Sequence, residues 1–151
     1  MLICSKSYYN IPFSHRQHLH NGNCSKIHGH NWAITLEFEC SELDKNGFVI
    51  DFGNLKYIQN FINNNLDHAS LFSKNDTIIK KLMSSEYKSI IKVLWVENSS
   101  CEGIAKFLFK EFSKLVKNKE GNRVWIKTLT LYEDSKNFVI YAPSKQLHES
   151  I

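Results

Sequence analysis

From Trp32 to Cys40 the chain alternates without a break: Trp32, Ile34, Leu36, Phe38 and Cys40 are separated by Ala33, Thr35, Glu37 and Glu39. Successive side chains of a strand point to opposite faces, so this period of two demands a strand with one face buried and the other wet. A second alternation runs from Val124 to Glu133 and places Trp125, Lys127, Leu129, Leu131 and Glu133 on one face. After a turn at Asp134-Ser135-Lys136-Asn137 comes a short partner, Phe138 to Tyr141. The segment from about Ile3 to His15 reads as a further strand, in which Pro12 marks an edge or a bulge.

Two helices are expected between these strands. Asp51 can cap a helix whose Phe52, Leu55, Ile58, Ile62 and Leu66 share one face. Ser99-Ser100-Cys101-Glu102 has capping-box spacing, serine first and glutamate three later, ahead of an apolar-periodic run to about Val116. On that helix Lys106, Lys110, Lys114 and Lys117 read as the wet side of an amphipathic stripe rather than a phosphate-binding row. Ser73 to Val96 reads as an insertion, helical around Ile78 to Met83, with a short apolar stretch at Val93 to Val96. The order is strand, strand, helix, insertion, helix, strand, strand. Hairpins with helices on one sheet face make an α+β domain.

At 151 residues, with no repeat or linker, the whole of 1–151 reads as a single domain. No apolar run approaches the ~20 residues that cross a bilayer. The start has no basic segment leading into an apolar one, so a cytoplasmic protein without membrane partners is the expectation. Four cysteines, Cys4, Cys24, Cys40 and Cys101, are expected to be reduced thiols in that compartment. A net charge of +4 suits an anionic small molecule but lacks the clustered footprint of nucleic-acid binding.

The chemistry gathers at Cys24-Ser25-Lys26-Ile27-His28-Gly29-His30-Asn31-Trp32. Residues two apart in a strand share a side, so His28 and His30 can present two imidazoles to one ion, and Gly29 leaves room for close approach. Two ligands hold a metal poorly. Three neutral imidazoles would leave zinc its charge and an open position, the catalytic arrangement. Spacing does not choose the third among His15, His18, His20 and His68.

Six blocks now stand in order: Phe13 to Arg16 (FSHR), Cys24 to Trp32, Gly47 to Lys56 (GFVIDFGNLK), Leu66 to His68 (LDH), Ser99 to Ala105 (SSCEGIA) and Leu131 to Asp134 (LYED). Together they resemble the 6-pyruvoyl-tetrahydropterin synthase and 6-carboxytetrahydropterin synthase (QueD) family of the tunnelling fold, over nearly the whole chain. The resemblance implies a four-stranded antiparallel sheet with two helices on one face, and a trimer or dimer of trimers with sites between subunits. It implies Zn2+ held by His15, His28 and His30, with Cys24 as the catalytic base. His68, preceded by Asp67, would relay protons, and Glu133 would anchor the pterin ring and take part in the relay. Ser100 and Cys101 would lie near the ring. The four-residue step from Cys24 to the first histidine of the pair resembles the QueD type.

That type implies dihydroneopterin triphosphate as substrate and 6-carboxytetrahydropterin, acetaldehyde and triphosphate as products, on the route to queuosine. The rivals are the pyruvoyl synthase of tetrahydrobiopterin formation and a non-catalytic zinc- or pterin-binding relative. The chain departs from the family pattern at Ser99-Ser100-Cys101, where Pro-Thr-Ser/Ala is usual, at Asp134 in place of threonine, and at Ile11 in place of phenylalanine. A thiol acts as a base only as thiolate, a form that a neighbouring zinc ion or imidazolium favours. Histidine suits a relay because it exchanges protons near neutral pH.

Overall fold

The structure, a computed structural model, describes residues 2–143. Its strands are β1 (Cys4–His15), β2 (His28–Cys40), β3 (Ala69–Ser73), β4 (Lys92–Val96), β5 (Val124–Tyr132) and β6 (Phe138–Tyr141). The α-helices are α1 (Lys56–Phe61), α2 (Thr77–Met83) and α3 (Cys101–Glu120). The fold is α+β, but the sheet is six-stranded and mixed, in the order β4-β3-β1-β2-β5-β6. This corrects the expected four-stranded antiparallel sheet. The four expected strands do pair antiparallel, while β3 and β4 extend the sheet beyond β1 by parallel pairing. Both added strands are five residues long and lack a clean alternation, so periodicity does not single them out.

α1 and α3 share one core with the sheet, and Phe61 meets Phe112 edge-on at 5.3 Å. Trp32, Ile34, Leu36 and Phe38 on β2 are fully buried beneath them, the outcome their alternation demands. On α3, Ile104, Leu108, Phe112 and Val116 face inward while Lys106, Lys110, Lys114 and Lys117 are exposed. Phe72 on β3 and Ile79 on α2 are buried outside that core cluster. All four cysteines are unpaired. Among the described residues no helix is long and apolar enough to cross a membrane.

Two expected helix starts are corrected. Asp51 accepts from Gly53 N at 2.8 Å and caps a 3-10 turn, Phe52–Asn54, rather than α1. Phe52 is consequently exposed, while Leu55, Ile58, Ile62 and Leu66 keep the buried stripe. Beyond α1 the chain widens into a π turn, Ile62–Leu66, a local irregularity common at functional sites. For α3 the cap is Ser100, accepting from Gly103 N at 3.1 Å; Ser99, which the capping-box spacing selects, is turned elsewhere.

Two bulges set which residues look inward. Between Tyr8 and Ile11, β1 holds one residue more than β2 opposite, with Asn10 in the left-handed region at φ 56°. Tyr8 is therefore inward before the bulge, and Ile11, Phe13 and His15 after it. On β5 the extra residue is Lys127, so the buried series runs Val124, Ile126, then Leu129 and Leu131. This corrects the shared face expected for Trp125, Lys127 and Glu133. Trp125 and Lys127 turn to the other side and bond Glu39, at 3.3 and 3.0 Å.

Candidate metal centre

β1 and β2 pair in a register that sets His15 opposite His28 and Phe13 opposite His30. The bulge in β1 turns His15 to the face that His28 and His30 already share. The three ring centroids stand 4.6, 5.1 and 5.4 Å apart. Glu133, the residue after β5, joins them: its Oε1 is 3.4 Å from Nε2 of both His15 and His30. One donor atom from each of the four residues lies within 4.8 Å of all the others.

Backbone carbonyls fix two of the rings. His15 Nδ1 donates to Ser99 O at 2.8 Å, and His28 Nδ1 to Lys26 O at 2.8 Å. Each bond leaves Nε2 as the lone-pair atom, the usual way a ligating histidine is oriented. Nε2 of His15 and of His30 are buried without a hydrogen-bond partner, and the Glu133 oxygen 3.4 Å away, itself an acceptor, does not complete a lone pair. Such orphaned acceptors are costly unless something electropositive completes them. Burial drives the His15 pKa down, as do charges on His28 and His30, against the upward pull of the Ser99 carbonyl and Glu133. A neutral imidazole is the form that binds metal. Three nitrogens and one carboxylate oxygen also match the donor preferences of zinc, so the residues present fit that ion.

Trp32 forms the floor. It is fully buried, stacks on Phe13 at 4.4 Å, donates from Nε1 to Phe13 O at 3.0 Å, and meets His15 and His30 edge-on at 5.0 and 5.1 Å. Sequence reading placed Trp32 in the core without connecting it to the site. Its position two residues after His30 in an unbroken alternation was the available signal.

Cys24 lies in a short 3-10 turn, Asn23–Ser25, just before β2, and is half-buried. Its carbonyl accepts from Gln17 N at 2.8 Å, which ties together the chain leaving β1 and the chain entering β2. Cys24 is not among the four gathered donors. His68 and Asp67 stand apart from them too. His68 has φ 57°, its Nδ1 is 2.7 Å from Asp67 Oδ1, its side chain is 83% exposed, and its N–H donates to Pro12 O at 2.9 Å. His18 and His20 also lie outside the cluster, and His20 Nδ1 accepts from Gly22 N at 2.8 Å.

Beside the metal centre lies a cleft of about 320 Å³, lined by Cys101, Glu102, Glu133, Lys136, Asn137 and neighbouring residues. Cys101 is buried in its wall; burial, then Glu133, then Glu102, push its thiol pKa up to about 12, so it stays protonated and inert near neutral pH. Asp134 Oδ1 accepts from Lys136 N and Asn137 N at 2.7 Å each, fixing the turn that forms the opposite wall. Glu102 is exposed in the first turn of α3 and does not provide the cap.

The fold and the site thus define an α+β domain equipped to hold one metal ion at the end of its sheet, with a polar cleft alongside. The sequence profile of the 6-pyruvoyl tetrahydropterin synthase family matches residues 4–144, and the chain belongs to that family of enzymes. A 6-carboxy-5,6,7,8-tetrahydropterin synthase of Rickettsia felis is 31% identical over 144 residues, covering 92% of this chain and 99% of the relative. An uncharacterised protein of Wolinella succinogenes superimposes with a TM-score of 0.79 at 18% identity, over 95% of this chain and 100% of the other. The 6-pyruvoyl tetrahydropterin synthase of Caenorhabditis elegans does so with a TM-score of 0.63 at 19% identity, over 95% and 98% of the two chains. At those identities the structural likenesses establish the shared fold.

Proposed function

We propose that this chain is a zinc-dependent 6-carboxytetrahydropterin synthase, converting dihydroneopterin triphosphate to 6-carboxytetrahydropterin, acetaldehyde and triphosphate in queuosine biosynthesis. The convergence of His15, His28 and His30, with the buried Nε2 atoms of His15 and His30 left open, is the observation that carries this reading. Full-length similarity to relatives bearing the 6-carboxy name supports the product. A net charge of +4 favours the approach of a triphosphate.

Bound to those histidines, zinc supplies Lewis acidity to side-chain oxygens of the substrate, making the adjacent C–H bonds easier to break. The remaining work falls to the chain's own groups. Cys24, as thiolate, takes the proton from the side-chain carbon. His68, oriented by Asp67, carries protons onward; its exposure on this chain suits a site completed between subunits of a trimer or dimer of trimers. Glu133 anchors the pterin ring and takes part in the relay. Its place against two imidazoles suits the relay role and adds one at the metal, while the exposed Glu102 carboxylate in the same cleft offers a second match to the two parallel donors of a pterin's guanidine-like edge. Cys101 forms the wall beside it, and Ser100, expected near the ring, lines the neighbouring cleft with Ser99 and His18. The setting is cytoplasmic, with neither nucleic acid nor membrane as partner.

The test is incubation of the zinc-loaded protein with dihydroneopterin triphosphate and identification of the small carbonyl by-product. Acetaldehyde is the expected result; a diketo pterin without acetaldehyde identifies the pyruvoyl reaction, and no turnover a binding protein. Cys24→Ala is expected to reduce turnover by about a hundredfold or more while leaving zinc stoichiometry intact. Unchanged turnover in that variant would remove Cys24 from the mechanism.

A further inference from the structure

Three links run outward from the ring of His15. Its Nδ1 donates to the carbonyl of Ser99 at 2.8 Å, and the Ser99 hydroxyl returns the favour by donating to the carbonyl of Arg16 at 2.6 Å. Adjacent residues at the end of β1 are thereby latched to one residue at the start of α3, by bonds running in opposite directions. Arg16 continues the chain. Its Nε stands 3.0 Å from Asp76 Oδ2, an ion pair set out of line with the N–H. The other Asp76 oxygen, Oδ1, caps α2, accepting from Ile78 N and Ile79 N at 3.2 and 3.1 Å. The path is largely shielded from water: His15 is 0% exposed, Ser99 2% and Asp76 1%, with the Arg16 side chain at 14%.

Each placement has a simpler explanation that falls short. A serine used only to pack a core would not need its hydroxyl spent on the backbone of a ligand's neighbour. An aspartate used only as a helix cap would sit at the surface, as Asp51 does, and would need no buried cation. A buried carboxylate demands a partner, and the one supplied belongs to the residue next to His15. We infer that Ser99 and Asp76 are positioning residues for the metal-binding imidazole of His15, so that the insertion between β3 and β4 braces the metal centre from behind. The inference rests on the reading of the histidine cluster as a zinc site. It assigns a task to a segment whose sequence suggested none.

The latch does two things for the ligand. The Ser99 carbonyl holds the proton on Nδ1 and keeps Nε2 aimed at the common point. The Ser99 hydroxyl and the Arg16–Asp76 pair then stop that carbonyl, and the strand end carrying the ring, from drifting. Partners of this kind change metal affinity by about 10–100-fold when removed.

Two variants test it, each read by competition with a chromophoric chelator for zinc and by the visible spectrum of the cobalt-substituted protein. Ser99→Ala keeps both backbone carbonyls and removes only the hydroxyl. Asp76→Asn keeps a capping oxygen and removes the charge. Zinc affinity is expected to fall about tenfold in each, with an altered cobalt ligand-field band, at urea concentrations where far-UV dichroism shows the variant folded. A purely structural role would lower the urea midpoint and leave affinity and spectrum unchanged, and that result overturns the inference. Should Asp76→Asn not fold, Ser99→Ala decides the matter alone. Failure of the unaltered protein to bind zinc or cobalt in a 1:1 ratio would sink the zinc reading itself, whereas normal binding in the parent and in both variants sinks only the positioning roles.

Discussion

β2 and the two strands that flank it teach different lessons. β2 runs from His28 to Cys40 with one unbroken alternation, so its inward row reads His28, His30, Trp32, Ile34, Leu36, Phe38 straight off the sequence. β1 and β5 each carry one extra residue, and past it their inward rows change parity. The residues delivered by those changes are His15 on β1 and Glu133 just after β5, the two that meet the β2 histidines. The unbroken strand supplies the core and two of the four gathered donors; the interrupted ones supply the other two by being interrupted. A one-residue shift reverses every side chain beyond it, so each bulge acts as a switch of facing.

Undoing a switch gives the largest expected effect. Deletion of Ser14, past the bulge, undoes the change of parity: it sets His15 opposite Gly29 and turns its ring away, which forfeits one imidazole of three. If zinc binding is worth roughly 12 kcal/mol, a third of it is about 4 kcal/mol, or on the order of a thousandfold in affinity, measurable by chelator competition. Retained affinity would show that His15 is not delivered by the bulge. Next comes the unbroken strand. Leu36→Ala, at a fully buried position far from the imidazoles, is expected to lower stability by about 2–5 kcal/mol in urea unfolding while zinc stoichiometry stays at one. A loss of metal instead would mean that the core and site ends of β2 are not separable. Smaller again, Glu133→Gln keeps the shape and removes the charge after the β5 bulge. About a tenfold weaker zinc affinity is expected by calorimetry, against no change if the carboxylate serves the ring alone.

The smallest effect concerns pH. Burial lowers the folded-state pKa of His15 below the usual 6.5, so in the metal-free protein the unfolded chain takes up that proton first. The contribution is complete above pH 6.5 and is lost as pH falls from there towards the lowered folded value. Urea midpoints of metal-free protein should therefore drop over that window, and His15→Gln should flatten the drop. An equal slope in the variant would place the titration elsewhere.

What the sequence made legible follows the same divide. The four antiparallel strands, the amphipathic face of α3 and the helix within the insertion announce themselves through intact periods. A bulge leaves no compositional mark, and Pro12 hinted at one only because proline is awkward in a central strand. Counting straight through Lys127 misplaced Trp125 onto the Glu133 face. β3 and β4 escaped because five residues without clean alternation resemble any short apolar run, and because parallel partners are brought together by an intervening segment rather than a tight turn. The cap of α3 slipped by one since Ser99 and Ser100 are chemically identical; only tertiary contacts tell the serine that faces Gly103 from the one that faces Arg16. Glu133 could be named from its motif, but its closeness to the imidazoles depends on a turn of the chain that no local pattern records.

Trp32 lends the site an optical consequence. Trp32 is fully buried with its edge against two of the imidazoles, whereas Trp95 and Trp125 are only partly covered. Any change in the charge of those rings, whether from a proton or a cation, alters the field across one particular indole and so its emission. The protein carries its own fluorescent gauge of occupancy, read without a label and without substrate.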